Sequence, residues 1–429
     1  LDLLLITALP CLEEFRQRDP RYVRGLCGFF SRVARMDRGI GPGCGSRCYG
    51  LAGIQKTGRG IRYGMKVLHL SPQNYTGTLD LFVKGHRALG HESRLVTFFR
   101  AANLYPEDIC LELPFVGPMA WLLKLKELIG AGSLRVPYTG TTERIFWNPG
   151  ALEKVLIRFR ERVWKPKIDR AAEEFGLWDY DVYHLEGGMS FYRDGRDVKA
   201  LKKGGKKIVS YYHGLGLRMR GAIRPVWEAT DLNLTCEFDL YQRYPEVDYL
   251  FLPYDQSAVP PADPPEGRIR ICHAPRIRSV KGTESIIRAV EELSREVPVE
   301  LVLIENVSNR EAIRLKATSH IAVDQVADGD MGYGVNSLES LSMGIATVTN
   351  LSGAYRDFIP EHPFFLTTPE TLKRDLRELV LDGDLRRKHA AAGPPWIEKR
   401  HNWLSVAKEM HRIYRELGWE KDDGSFERE

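Results

Sequence analysis

No stretch of this 429-residue chain approaches the roughly 18–20 consecutive apolar residues of a membrane-spanning helix. Nothing basic precedes the apolar opening Leu1-Asp2-Leu3-Leu4-Leu5-Ile6, so it does not read as a secretory signal. The expected location is the cytoplasm, at most at the inner face of a membrane. A global charge excess is lacking too. The net +5 divides into 11 Lys/Arg against 5 Asp/Glu in residues 1–64, and 51 against 52 in the remainder. That balance excludes a basic face for nucleic acid. Cysteine is scarce and scattered. Cys11, Cys27, Cys44 and Cys48 lack the two compact pairs of a zinc site, and Cys110, Cys236 and Cys272 read as thiols of a reducing compartment.

What is present begins at Met65. Residues 1–64 carry no sustained period after Phe30 and are punctuated by glycines from Gly39 to Gly64, which favours disorder. Met65 is followed at once by an apolar strand. The expectation is that the native protein starts there and that the leader comes from a misplaced start; the alternative is a basic tail against anionic lipid. Beyond Met65, short apolar runs alternate with helical patterns, the signature of parallel βα units. Predicted strands cover 67–70, 94–97, 182–184, 207–212, 232–235 and 249–252, with helices over 79–89 and 151–175. Residues 255–267, with four prolines and no apolar period, read as a hinge. The pattern then restarts, with strands over 269–273, 299–304, 320–324 and 346–350 and helices over 283–295 and 336–343. Two α/β domains, 65–254 and 268–396, would place a cleft between the carboxyl ends of their sheets. A long amphipathic helix over 397–418 would cross back to brace the first domain, ahead of a frayed tail, 419–429.

Two segments carry chemistry. Residues 271–284 (I-C-H-A-P-R-I-R-S-V-K-G-T-E) end a strand at His273, set Arg276, Arg278 and Lys281 in a loop, and open a helix near Thr283. Fixed positive charge beside unpaired helix N–H groups suits a diphosphate; a solvated basic loop is the plainer reading. Residues 332–344 (G-Y-G-V-N-S-L-E-S-L-S-M-G) pair Gly332 and Gly334, which permit close backbone approach, with a following helix. Glu339 either completes a capping box with Asn336 or accepts both ribose hydroxyls of a nucleotide.

Together these segments resemble the retaining family-4 glycosyltransferases of the GT-B fold, in which two Rossmann-like domains face each other. Arg276 and Lys281 match that family's Arg-x4-Lys element, with Arg278 as a rival for the arginine. Glu339 matches the second Glu of its Glu-x7-Glu element, the ribose ligand. Met331 stands where the first Glu contacts the donor sugar, and Met accepts hydrogen bonds only weakly.

The resemblance covers roughly residues 65–418 and implies a first domain for acceptor and a second for donor. Gly77, in S-P-Q-N-Y-T-G, falls where relatives have a glycine-rich loop against phosphate and acceptor. His213 and Arg218, in Y-Y-H-G-L-G-L-R, would line the cleft. Glu186, in D-V-Y-H-L-E-G-G, replaces a histidine that lies near the reacting sugar; a carboxylate there would stabilise an oxocarbenium-like transition state. Each of these three also admits a purely structural role.

The implied reaction moves a sugar from a nucleoside diphosphate sugar to an unknown acceptor, a glycan or lipid-linked glycan among the options. No cofactor beyond the donor substrate and no metal is expected, because the cations and a helix N-terminus would neutralise the leaving group. Lys281→Ala is expected to cut turnover far more than stability. Asp328-Gly329-Asp330 reads as a turn rather than a metal site. The apolar-basic segments 119–129 and 153–170 permit membrane contact, though covering helices with snorkelling lysines fit as well. A sugar-nucleotide epimerase of the same fold and a non-catalytic nucleotide-sugar-binding partner subunit are the alternatives. A dinucleotide dehydrogenase is disfavoured, because no G-x-G-x-x-G follows either first strand.

Overall fold

The computed structural model describes residues 64–74, 77–101, 105–115, 146–214, 216–327 and 329–421. The leader up to residue 63, the 119–129 segment, Asp328 and the last eight residues lie outside that set. The first domain is a seven-stranded sheet of β1 (Lys66–Ser71), β2 (Glu92–Thr97), β3 (Ile109–Cys110), β4 (Val182–Glu186), β5 (Lys207–Tyr212), β6 (Leu232–Thr235) and β7 (Val247–Tyr249). Its order is β3-β2-β1-β4-β5-β6-β7 and every pairing is parallel. The second sheet holds β8 (Ile269–His273), β9 (Val299–Leu303), β10 (Ile321–Val323), β11 (Ala346–Thr349) and β12 (Phe365–Leu366), in the parallel order β12-β11-β10-β8-β9. Both are doubly wound orders that reverse beside the first strand, and two such domains joined by a linker make the GT-B architecture. The strands read as near-continuous apolar runs because helices cover both faces of a parallel sheet.

Seven helices matter for the site: α1 (Thr78–Ala88), α2 (Ala151–Phe175), α3 (Thr283–Leu293), α4 (Asn309–Ala317), α5 (Val335–Ser342), α6 (Gly383–Arg400) and α7 (Trp403–Glu416). On one face of the first sheet, α2 buries Ile157, Trp164, Ile168 and Ala171, spaced by three, four and seven residues as a helix stripe requires. It ends at Gly176, whose φ of 63° supplies a left-handed cap. A second α2 stripe, Leu152, Val155, Phe159 and Val163, is exposed among the described residues.

On the opposite face α1 meets α7, whose Val406, Met410 and Tyr414 pack with Met65, Val67 and Phe82. Each such burial contributes on the order of 1.5–3 kcal/mol. The helices cross so closely that a Cβ on Gly85 would lie 2.5 Å from that of Ala407.

The single helix expected over 397–418 is two. α6 ends at Arg400, and Asn402 caps α7 by accepting from the amides of Leu404 and Ser405. The break turns the chain from the second domain back to the first, and Tyr254 pairs there with His401 and Trp403 backbone. Among the described residues no helix is long and apolar enough to cross a membrane.

Candidate active site

Strand β10 ends beside the loop that follows β8, which brings Asp324 to Lys281. The Lys281 ammonium lies 2.7 Å from Asp324 Oδ1, and the Asp324 side chain is fully buried while that of Lys281 keeps 22% exposure. Three groups from the start of α5 converge on the same carboxylate. Asn336 Nδ2 donates to Oδ1 at 2.9 Å, Ser337 Oγ to Oδ2 at 2.6 Å, and the Gly334 amide to Oδ2 at 3.4 Å. Burial alone would raise the Asp324 carboxyl, but the Lys281 charge and these donors outweigh it and hold it at about 2. The two chemistry-bearing segments therefore meet on one buried anion. An ammonium has three donors and Asp324 takes one, so Lys281 is held in place while keeping donors to spare at its partly exposed end.

The other cations differ. Arg278 spends its guanidinium on Glu284, at 2.8 and 2.9 Å, and on Glu305 at 2.8 Å. Arg276 is exposed. His273 is no acid or base: burial lowers its pKa to about 4, Nδ1 lies 2.8 Å from the Val323 carbonyl, and Nε2 lies 2.9 Å from the Thr283 hydroxyl. It fastens the strand end to the first residue of α3.

The capping box expected between Asn336 and Glu339 is not formed. The helix starts one residue earlier, with Gly334 at its N-cap, and the Asn336 amide is drawn to Asp324 instead. Glu339 points the other way, into a buried ion pair with Lys316 of α4, and accepts from Asn309 Nδ2 at 3.3 Å. A carboxylate has about four lone-pair sites, so these two partners orient Glu339 without filling it.

Gly332 and Gly334 are glycines for different reasons. Gly332 has φ of 64°, and a Cβ there would sit 1.9 Å from the Tyr355 ring, whereas Gly334 has nothing within 4 Å. Gly332→Ala should therefore cost about 1–3 kcal/mol. Gly334→Ala should stay within about 0.5 kcal/mol of wild type yet weaken any ligand that approaches the open backbone. Urea unfolding of both variants, beside a nucleotide titration, checks this contrast.

Across the domain boundary, adjacent strands β4 and β5 place Glu186 and His213 together, with Oε1 3.0 Å from Nε2. His213 Nδ1 faces Cys236 Sγ at 3.7 Å. Burial opposes a charge on His213, but the Glu186 carboxylate overrides it and, with Cys236, raises the imidazole pKa well above its ordinary value. Arg218 is not free to line the cleft. It donates to Asp239 at 2.6 Å and to Glu237 at 2.7 Å, closing the turn after His213.

Aromatic side chains connect the two halves. The Tyr211 ring stands 5.0 Å from His213, Tyr249 OH lies 3.3 Å from Tyr355 OH, and Tyr355 stacks on Phe238 at 4.3 Å while backing Gly332. Gly77 (φ 72°) caps α1 with the Tyr105 ring against it, so its glycine is required by that packing. Asp324, Cys236, Glu237, Asp239, Lys316 and Asn309 were not singled out in the sequence as site residues; polar residues at a strand end or in a connecting segment are too common for that signal to select them.

No family profile matches the chain. A curated protein that matches is an uncharacterized glycosyltransferase of Methanocaldococcus jannaschii, 24% identical over 181 residues, which cover 35% of this chain and 46% of that protein. The chain thus spans about half the length of the curated relative it matches. Similar solved structures include the glycosyltransferase SnogD from Streptomyces nogalater, 17% identical over 81% of this chain and 100% of that one, with a TM-score of 0.42. Another is Anabaena HepE in complex with UDP-glucose, 12% identical over 82% of this chain and 100% of that one, with a TM-score of 0.45.

Proposed function

We propose that the chain is a glycosyltransferase of the GT-B type, moving a sugar from a nucleoside diphosphate donor to an acceptor with retention and without a catalytic metal. One observation carries the reading: Asp324 ties Lys281 to the N-terminal turn of α5, so the two motif segments meet at one place, with the Lys281 ammonium fixed beside a helix N-terminus. When the bond from the sugar C1 to the diphosphate oxygen breaks, its electron pair goes to the diphosphate. Lys281 stabilises that charge, with Arg276, rather than the carboxylate-paired Arg278, beside it. Glu339 holds the ribose, and the open backbone at Gly334 lets the donor approach. Glu186, oriented by His213, offsets the positive charge developing at C1 from the first domain.

Calorimetric titration of the full chain with nucleoside diphosphates and their sugars tests this. One base should bind selectively, and Glu339→Gln should weaken it by about 1–3 kcal/mol, on the order of tenfold or more. A folded protein that binds none of them overturns the reading. Met331 favours a second reading, a partner subunit that binds donor without turning it over, since thioether replaces an expected acceptor. Selective binding with no nucleotide release against any acceptor would choose that one, and altered sugar stereochemistry without acceptor would indicate an epimerase.

A further inference from the structure

Five of the chain's 11 histidines meet behind the first sheet, away from Asp324 and Lys281. His69 of β1 and His184 of β4 are direct neighbours in the parallel register, their rings 4.5 Å apart. His86 comes from α1, His411 from α7, and His91 from the turn between α1 and β2; all five are buried. Nothing in the sugar-transfer reading uses them.

Their hydrogen bonds fix the tautomers. Glu420 Oε2 can only accept at neutral pH, so His411 Nδ1 donates to it at 2.6 Å. In the neutral form of His411, Nε2 is then the acceptor and His86 Nδ1, 2.8 Å away, the donor. That leaves His86 Nε2 as a bare lone pair, buried and without a hydrogen-bond partner. His69 Nε2 is likewise buried and unpartnered. His184 is oriented by Tyr414 OH at its Nε2. His91 accepts from the Met65 amide at Nδ1, 3.1 Å away, so its other nitrogen faces Glu420.

We propose that His69, His86 and His184 form a transition-metal site, best suited to Zn²⁺, that pins β1, β4 and α1 together, with α7 reaching it through His411. Each of the three offers a ring nitrogen, all within 4.8 Å of one another. All three rings are buried, which favours the neutral imidazole that coordinates a metal. Neutral imidazole suits zinc, which takes three histidines with an open fourth position. A small cavity borders two of the three, His69 and His184, beside Leu79, Phe82 and Glu186. The His86–His411–Glu420 relay supplies the carboxylate-backed orientation that metal-bound histidines characteristically have. Without a metal, the buried Nε2 atoms of His69 and His86 would stay unsatisfied, each at the desolvation cost of an unpaired polar group.

The test uses the full chain, stripped with a chelator and titrated with Zn²⁺ against a chromophoric competitor, and separately with Co²⁺. The expected result is one Zn²⁺ per chain, a raised thermal midpoint, and the visible d–d absorption of four-coordinate cobalt. His411→Ala should weaken binding by about 10–100-fold, and the His69→Ala/His86→Ala pair should abolish it. Failure of the folded wild-type protein to take up stoichiometric metal overturns the proposal, whether or not the variants fold. Retention of one equivalent by the folded double variant overturns it too, placing the ion elsewhere. Both outcomes are independent of nucleotide binding.

Discussion

Asp324→Asn should destabilise the protein by about 3 kcal/mol at neutral pH and remove measurable binding of nucleoside diphosphate. Removing one partner of a buried ion pair costs about 3–5 kcal/mol because the other charge is left uncompensated. The lower end applies because Lys281 retains 22% exposure. Asparagine preserves the shape but cannot accept from Lys281, Asn336, Ser337 and Gly334 as an anion does. By the same pairing, Lys281→Ala strands a buried carboxylate, so it should cost stability as well as turnover, contrary to the expectation from sequence. Asp324→Asn combined with Lys281→Met removes both charges and should recover much of the stability but none of the binding. The pH dependence is specific. The carboxyl is depressed from 3.8 to about 2 in the folded state, so its stabilisation is full above about pH 4 and is lost as pH falls toward 2. Urea midpoints of the wild type should drop across that interval while those of Asp324→Asn lack this component. Equal acid slopes would show that Asp324 is not the ion-paired anchor.

The fold was legible because parallel strands buried on both faces announce themselves as apolar runs. Lys207–Tyr212, Leu232–Thr235 and Ile269–His273 coincide with their predicted bounds. Ile109–Cys110 and Phe365–Leu366 escaped notice because two residues make no run, and each becomes a strand only by lying at the edge of a finished sheet. The site was legible one residue at a time. Glu186, His213, Lys281 and Glu339 could be selected by motif, but their partners could not. Asp324 lies 43 positions from Lys281 and reaches it only because β10 sits next to β8. Lys316 finds Glu339 only once α4 packs beside α5. Arg218 looked suited to the cleft, yet Glu237 and Asp239, around 20 residues on, claim it. The histidine cluster was invisible for the same reason: its members come from two strands, two helices and a turn.

Glu186→Gln should lower turnover by a factor on the order of 10²–10³, the scale for losing one preorganised electrostatic group in an active site, and should move the alkaline limb of the pH profile to lower pH. Glutamine keeps a hydrogen-bonding oxygen near His213 Nε2 but not the charge. In the wild type the carboxylate overrides burial and keeps the imidazolium intact well above the ordinary histidine range. A pKa raised on folding contributes stability that is full below about 6.5, the unfolded value, and is lost as pH rises through the folded value. Without the carboxylate, burial dominates and pushes His213 down, so the charge and its contribution disappear at lower pH. NMR titration of the His213 ring and the pH dependence of kcat/KM should therefore shift together in Glu186→Gln. His213→Gln should abolish that limb while leaving nucleotide affinity close to wild type, because in the proposed reading donor nucleotide is held by the other domain. A ring titration that moves while the rate profile stays fixed would make the pair a structural brace, and the group facing the reacting carbon would have to be sought elsewhere.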